Sequence, residues 1–432
     1  MNFSFRDRLR GGVLLAALIA GIGGAQAQQK IELTYSDWQL AQEVWGKSLK
    51  DEIAQFEKEN PGITVKTEPV PLAQRDVRFT TAIRAGRGPD VFALDANPVR
   101  QYIAEGWVRD LTPFIAKEGP DFLKDFYPIS LAPVTVDSKT YGIPMNTVAM
   151  VQVYNETLFK AAGIQPAKTW DEFKVNAAKL TGSSKPGGPK DRWAFALVMA
   201  PAGFDLRVSS IIRAFGADFL TPDNKHSALE TPQFKAAYNF ILDLVKDGAI
   251  PPGVSQVDAN GSRRMLANEQ VAIKIGTTWS LPEVSAMNPK LDGWNTLKMA
   301  PMPVVAGTNP AVRTTLFQKS IFINKNTEHA EAAWKLTKFL TDKQRMRRWF
   351  DDNAMLSSRI SVNADPKIAN ADYARIISAE IEKGAFLPLI PQWPAILETF
   401  RQSLQAAAAG SKTREQALAD AHKEIEAILA RP

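Results

Sequence analysis

Residues 43–67 read EVWGKSLKDEIAQFEKENPGITVKT. Trp45, Leu49, Ile53 and Phe56 recur at spacings of four, four and three, which places an apolar stripe on one face of a helix over 43–59. Asn60-Pro61-Gly62 ends it, because Pro cannot continue the hydrogen-bond ladder and Gly suits the turn that follows. Residues 63–67 then alternate apolar and polar, the period of a half-buried strand. Working outward, 31–35 reads as a strand before this helix. On the other side come a helical stretch at 75–84, a break at Gly86, Gly88 and Pro89, a strand at 91–94, and a helix at 98–105 ended by Gly106. Strand and helix in strict alternation predict an α/β lobe with a largely parallel sheet.

The alternation resumes later. Residues 148–154 are β-like, and Thr169-Trp170-Asp171-Glu172 has the form of a capping box opening a helix to Leu180. The stretch 181–190, rich in Gly, Ser, Pro and Lys, reads as a surface loop. Strands are expected at 194–198, 271–275 and 320–324. Helices are expected after Thr231-Pro232, through Trp334, and over 413–429, where Thr413 and Gln416 form a second box. No repeat or low-complexity linker separates two halves. A chain of 432 residues exceeds what one core of about 250–300 residues supports. Two lobes that the chain crosses between more than once are therefore expected, with a first crossing near Gly142-Ile143-Pro144.

The N-terminus carries Arg6, Arg8 and Arg10, an uncharged apolar run over 13–23, and Ala25-Gln26-Ala27. This is the pattern of a secretory signal peptide over 1–27, and the run falls short of the ~20 residues of a spanning helix. Removing three Arg and one Asp takes the formal charge of +6 to about +4, with both signs interspersed. No basic block suggests nucleic acid. The chain has no cysteine, hence no disulfide framework and no lipid-attachment residue after the leader. A soluble, monomeric periplasmic protein is expected.

Chemistry-bearing motifs are sparse. His226, His329 and His422 stand in no metal-ligand spacing, so neither a metal nor a cofactor is expected. There is no Gly-x-Ser-x-Gly elbow and no Walker motif. Acidic pairs such as Asp351-Asp352 read as solvated helix ends. An enzyme would survive only as a carboxylate glycosidase, which needs two acids that nothing here marks.

Several segments, in order, resemble family 1 extracellular solute-binding proteins, the carbohydrate-importer family that includes maltose-binding protein. They are residues 56–65 (FEKENPGITV), 85–92 (AGRGPDVF), 106–113 (GWVRDLTP), Tyr141-Gly142-Ile143-Pro144 with Tyr154-Asn155, Ala162-Gly163-Ile164 with the Thr169 box, Thr278-Trp279-Ser280, and 330–340. Thr277-Thr278 stands where the family commonly has Gly-Pro, and Leu356-Ser357-Ser358-Arg359 replaces a commoner Leu-Pro pair. The resemblance implies a two-lobed periplasmic-binding-protein fold, type II-like. The N-terminal lobe would be 28–145 and about 316–365, and the C-terminal lobe 146–315 and about 366–432. It implies a non-enzymatic protein that captures a mono- or oligosaccharide in the interlobe cleft by lobe closure and delivers it to membrane-embedded ABC permease subunits. Glycerol 3-phosphate, a polyol or another small polar solute is the alternative ligand.

Ligands of such sheets bind beyond the C-terminal ends of strands. Asp37, Trp38 and Gln39 follow the first strand, Asp95 and Asn97 the third, and Asn146 the first crossing. Trp279 follows a strand of the second lobe. Trp393 lies in a late loop that the family brings to the cleft, and Asp205 and Arg207 precede a second-lobe helix. Indoles suit the apolar faces of a pyranose, and acids and amides satisfy its hydroxyls. Arg207 could fork onto vicinal hydroxyls or a phosphate. Asp37 could instead cap a helix and Asp95 a turn. Trp45, Trp334 and Trp349 fall in helical stretches and read as packing residues, and Trp170 as a helix-start residue.

Cleavage after Ala27 would leave a mature chain beginning at Gln28. Intact-mass measurement of protein recovered from the periplasm is expected to show loss of the first 27 residues; a full-length mass would contradict this.

Overall fold

The computed structural model describes residues 30–183, 187–188 and 190–431. The leader and the Gln28 start lie outside the described residues. The helix Glu43–Glu59 buries Trp45, Leu49, Ile53 and Phe56, the expected stripe. Its stop is built from Asn60: the side-chain amide donates to Phe56 O at 2.9 Å, and Asn60 O accepts from Ile63 N at 2.8 Å to launch the next strand. The strand Ile31–Asp37 then pairs in parallel with Ile63–Pro69 along its whole length and with Val91–Asp95 on its other edge. Asp90 of the Pro-Asp-Val segment locks this layer, accepting from both the backbone N and the hydroxyl of Thr34 at 2.8 Å.

The long strand Thr314–Ile323 completes this six-stranded sheet. It runs antiparallel to Val91–Asp95 and to Gly142–Ala149, and Gly384–Ala385 pairs with its first two residues. A second, four-stranded sheet has the order Leu297–Ala300, Val151–Asn155, Val271–Gly276, Trp193–Ala196. The two sheets with their helices form two α/β lobes. Only one of the three pairings in the second sheet is parallel. The reason is that Val151–Asn155 enters directly from the first sheet rather than through a crossover helix, so its direction is set by the preceding strand.

The first crossing falls at Met150, not at Gly142-Ile143-Pro144. All of Gly142–Ala149 belongs to the first sheet, so the 145/146 boundary would cut a strand in two. Met150 N donates to Thr315 O at 3.1 Å, and Met150 O accepts from the Thr314 hydroxyl. Arg213, 2% exposed, fixes a third passage: its guanidinium donates to Ala385 O and Phe386 O and pairs with Asp218 at 3.0 Å.

Other expectations need smaller corrections. Thr169 caps its helix by accepting from Glu172 N, but Glu172 reaches back to Lys168 N rather than to Thr169, so the box is offset by one residue. The Thr413 and Gln416 box is complete. Asp205 and Arg207 lie inside the helix Pro201–Ala214, not before it. That helix is broken near its start, where Gly203 takes φ +93°, a conformation that glycine alone adopts readily. Trp38 begins a 3-10 turn, and Trp393 is the first residue of the helix Trp393–Ala408 rather than a loop residue.

Candidate functional site: a cleft between the two sheets

A cavity of about 230 Å³ opens between the lobes, beyond the C-terminal ends of Ile31–Asp37, Val91–Asp95 and Val271–Gly276. Eight of the ten residues expected there border it: Trp38, Gln39, Asp95, Asn97, Asp205, Arg207, Trp279 and Trp393. Asp37 and Asn146 do not, and each has a structural task. The Asp37 carboxylate accepts from Gln39 N at 2.8 Å and from the Tyr35 hydroxyl at 2.7 Å, and forms a fully buried ion pair with Lys319. It caps the turn that carries Trp38 and Gln39 into the cavity wall. Asn146 faces the register shift at Lys319/Ser320, and its Oδ1 accepts from Lys319 N at 2.9 Å, satisfying a donor at the bulge.

Lys319 is the anchor of this wall. Burial pushes its pKa down, and Asp37 works against that shift. Its ammonium also contacts Gln39 Oε1 and lies 5.2 Å from the Trp38 ring and 5.3 Å from the Trp349 ring. The Arg75 guanidinium sits 4.8 Å from the same indole and reaches Asp76 and Asp95 at 2.7 Å each. Burial opposes the charge on Arg75, but the two carboxylates outweigh it and hold the pKa above the ordinary arginine value. Trp38 thus has two cations, Lys319 and Arg75, within cation–π distance of its ring.

The second wall comes from the helix Pro201–Ala214 and the segment after Val271–Gly276. The break at Gly203 lets Arg207 fold back and donate to Gly203 O at 2.8 Å; a Cβ at Gly203 would fall 2.5 Å from the Arg207 guanidinium. Trp279 is the N-cap residue of Ser280–Met287. It is 7% exposed and packs edge-on against Phe317 at 5.0 Å. Trp393 is fully buried, edge-on to Phe219 at 5.2 Å, so it serves the core as well as bordering the cavity. Side-chain hydrogen bonds also join the walls. Asn97 donates its amide to Asp205, and Trp45 Nε1 donates to Glu283 Oε1 at 2.8 Å.

Trp45, Arg75, Arg263, Glu283 and Phe317 were not foreseen in the site. Trp45 lies on the helix stripe whose period also describes a core. Glu283 did carry a signal: it is the one charge in the otherwise uncharged run over 277–288. Among the described residues, no group of three or more acids or histidines is gathered to hold a metal, and no helix is long and apolar enough to cross a membrane.

The model of the bacterial extracellular solute-binding protein family matches residues 41–346. The chain therefore belongs to that family and is a binding protein rather than an enzyme, working outside the cytoplasmic membrane. A protein of Brucella abortus is 26% identical over 422 residues, covering 97% of this chain and 98% of that one. The multiple sugar-binding protein of Streptococcus mutans is 25% identical over 352 residues, 78% of each chain. Among solved structures, an ABC transporter solute binding protein from Thermotoga lettingae bound with α-D-tagatose superposes with a TM-score of 0.85 at 26% identity, over 93% of this chain and all of that one.

Burial first, and then the neighbouring Asp95, raise the Asp205 pKa to about 6. A carboxyl whose folded pKa is raised contributes stability at low pH that is lost as pH rises through that value. The melting temperature of the protein alone is thus expected to fall between about pH 4 and pH 6 by more than that of Asp205→Asn; parallel profiles for the two proteins would refute this assignment.

Proposed function

We propose that this chain captures a sugar in the interlobe cleft and presents it to the membrane subunits of an ABC importer in the periplasm, as a monomer released by cleavage after Ala27. The observation that carries the reading is the composition of the cleft. Four indoles, Trp38, Trp45, Trp279 and Trp393, border the same cavity as Gln39, Asp95, Asn97 and Asp205. Flat apolar rings beside acids and amides match a pyranose, whose C–H faces are apolar and whose hydroxyls both donate and accept. The ligands named for the Thermotoga and Streptococcus relatives support the same class.

In this reading the lobes are those of a type II-like binding protein. The N-terminal lobe runs to Ala149 and takes back the strand Thr314–Ile323, the segment to about 365 and the short strand Gly384–Ala385; most of the rest of the described chain forms the other lobe. Ligand held by one wall gains its remaining contacts only when the other wall meets it, so binding shifts the population towards the closed form. The importer recognises that form, and no bond in the ligand is made or broken.

Trp279 is the residue through which we test this. Its indole, placed by the helix start at Ser280, would offer one face to a sugar ring. Stacking and excluded water together contribute about 1–3 kcal/mol. Trp279→Ala is expected to weaken binding of the sugar found by a thermal-shift screen about tenfold to a hundredfold, with Trp279→Phe keeping part of the affinity. Unchanged affinity in Trp279→Ala, together with a stability loss of about 3–5 kcal/mol, would make the indole a core residue only.

A further inference from the structure

The two walls of the cleft differ in how their charges are matched. On the first wall, Arg75 is paired twice, with Asp76 and Asp95. On the second wall, Arg263 is paired with Glu283. Arg207, which borders the same cavity, is 3% exposed and has no ion pair among the described residues. One of its donors reaches Gly203 O, and its Nε is buried with no partner. Asp205, two residues away, is engaged by Asn97 on the opposite wall. Beneath them lies Lys274, fully buried, whose ammonium nitrogen has only Ile275 O and the Ser280 hydroxyl within reach, both at 3.3 Å. Burial first, and then Arg207 and Arg263, push the Lys274 pKa well below the ordinary lysine value, and Glu283 works against that shift. Burial and the nearby Arg263 likewise lower Arg207, to about 10, against the opposing pull of Asp205, Glu283 and Asp258, which still leaves the guanidinium charged at neutral pH.

A guanidinium presents five N–H donors and finds its best partner in a carboxylate or phosphate bound through two oxygens. Asp205, Glu283 and Asp258 act on Arg207 from a distance, but among the described residues no carboxylate is bonded to it, and a ligand oxyanion in direct contact would lower the cost of burying it. From this unmatched cation in the cleft wall, and resting on the sugar-binding reading above, we infer that the ligand is an acidic sugar whose carboxylate docks on Arg207. Its hydroxyls then face Asp95, Asn97 and Asp205. The carboxylates beside Arg207 select a carboxylate over a phosphate. Asp205 and Glu283 act on this guanidinium, and a phosphate near its full charge meets more repulsion from them than a singly charged carboxylate does.

The experiment compares matched probes on the purified protein: D-galacturonate and D-glucuronate against D-galactose and D-glucose, with D-glucose 6-phosphate and glycerol 3-phosphate as the phosphate arm. Affinity is read by calorimetry on the wild type and on Arg207→Gln. A sugar acid is expected to bind the wild type at least about tenfold more tightly than its neutral counterpart, and Arg207→Gln is expected to erase that preference. A wild type that prefers the neutral sugar, or that prefers a sugar phosphate to the sugar acid, would overturn the inference. So would a preference that survives in Arg207→Gln. The wild-type comparison needs no variant, so it decides even if Arg207→Gln fails to fold. Binding of neutral sugars alone would overturn this inference and leave the sugar-binding reading intact. Binding of no carbohydrate in either arm would remove both.

Discussion

The constraint on which the architecture depends is the antiparallel pairing of Gly142–Ala149 with Thr314–Ile323. These strands carry the chain between the two sheets in opposite directions, and at Met150 they are still bonded to each other as they leave the first sheet. The pairing is tight enough that a Cβ at Gly142 would fall within 2.5 Å of the Phe322 ring. It also explains why the second sheet is mixed, since Val151–Asn155 inherits its direction from the crossing. The Lys319/Ser320 register shift lies on the same strand. It places Lys319 where it can hold Asp37, Gln39 and Trp38 from below. The crossing and the cleft wall are thus parts of one continuous strand.

The energetics of the cleft follow from what its walls do when they meet. Side-chain hydrogen bonds join them, among them Asn97 to Asp205 and Trp45 to Glu283. Each is worth on the order of 1–3 kcal/mol when a charged partner is involved. Against them stand polar atoms buried without partners in the same region: Arg207 Nε, Trp279 Nε1 and Trp393 Nε1. An unmet buried donor costs about as much as a hydrogen bond gains. In the proposed reading, a ligand that supplies acceptors to these donors favours the form in which the walls meet. By contrast, the Asp37–Lys319 pair is spent on scaffolding, since breaking a buried pair from one side costs about 3–5 kcal/mol.

Much of this was legible in the sequence because the signals were local. The stripe through Trp45 and the Asn60-Pro61-Gly62 stop specify a helix and a strand within one short segment, and 43–59 is the observed helix. The sites after strand ends were legible for the same reason, since the position of a loop relative to a strand is written in the chain. What escaped were properties that depend on other segments. Asp37 has the composition of a ligand contact, but a lysine 282 positions away in the chain claims it. Asn146 looks like a crossing residue in the sequence because only the pairing with Thr314–Ile323 shows that its strand continues to Ala149. Trp45 faces both core and cleft, and a helical period cannot separate those roles when two lobes meet at the helix.

The central claim is that ligand closes the two lobes about this cleft. The chain contains no cysteine, so two can be introduced as unique label sites. Val77, on the rim of the first lobe, and Met287, on the second, are both exposed. Nitroxides at Val77→Cys and Met287→Cys report the distance across the cleft by pulsed dipolar spectroscopy. Saturation with the sugar selected by the ligand screen is expected to shift the distribution to shorter distances and to narrow it. A distribution unchanged by a sugar that calorimetry shows to be bound would contradict the account.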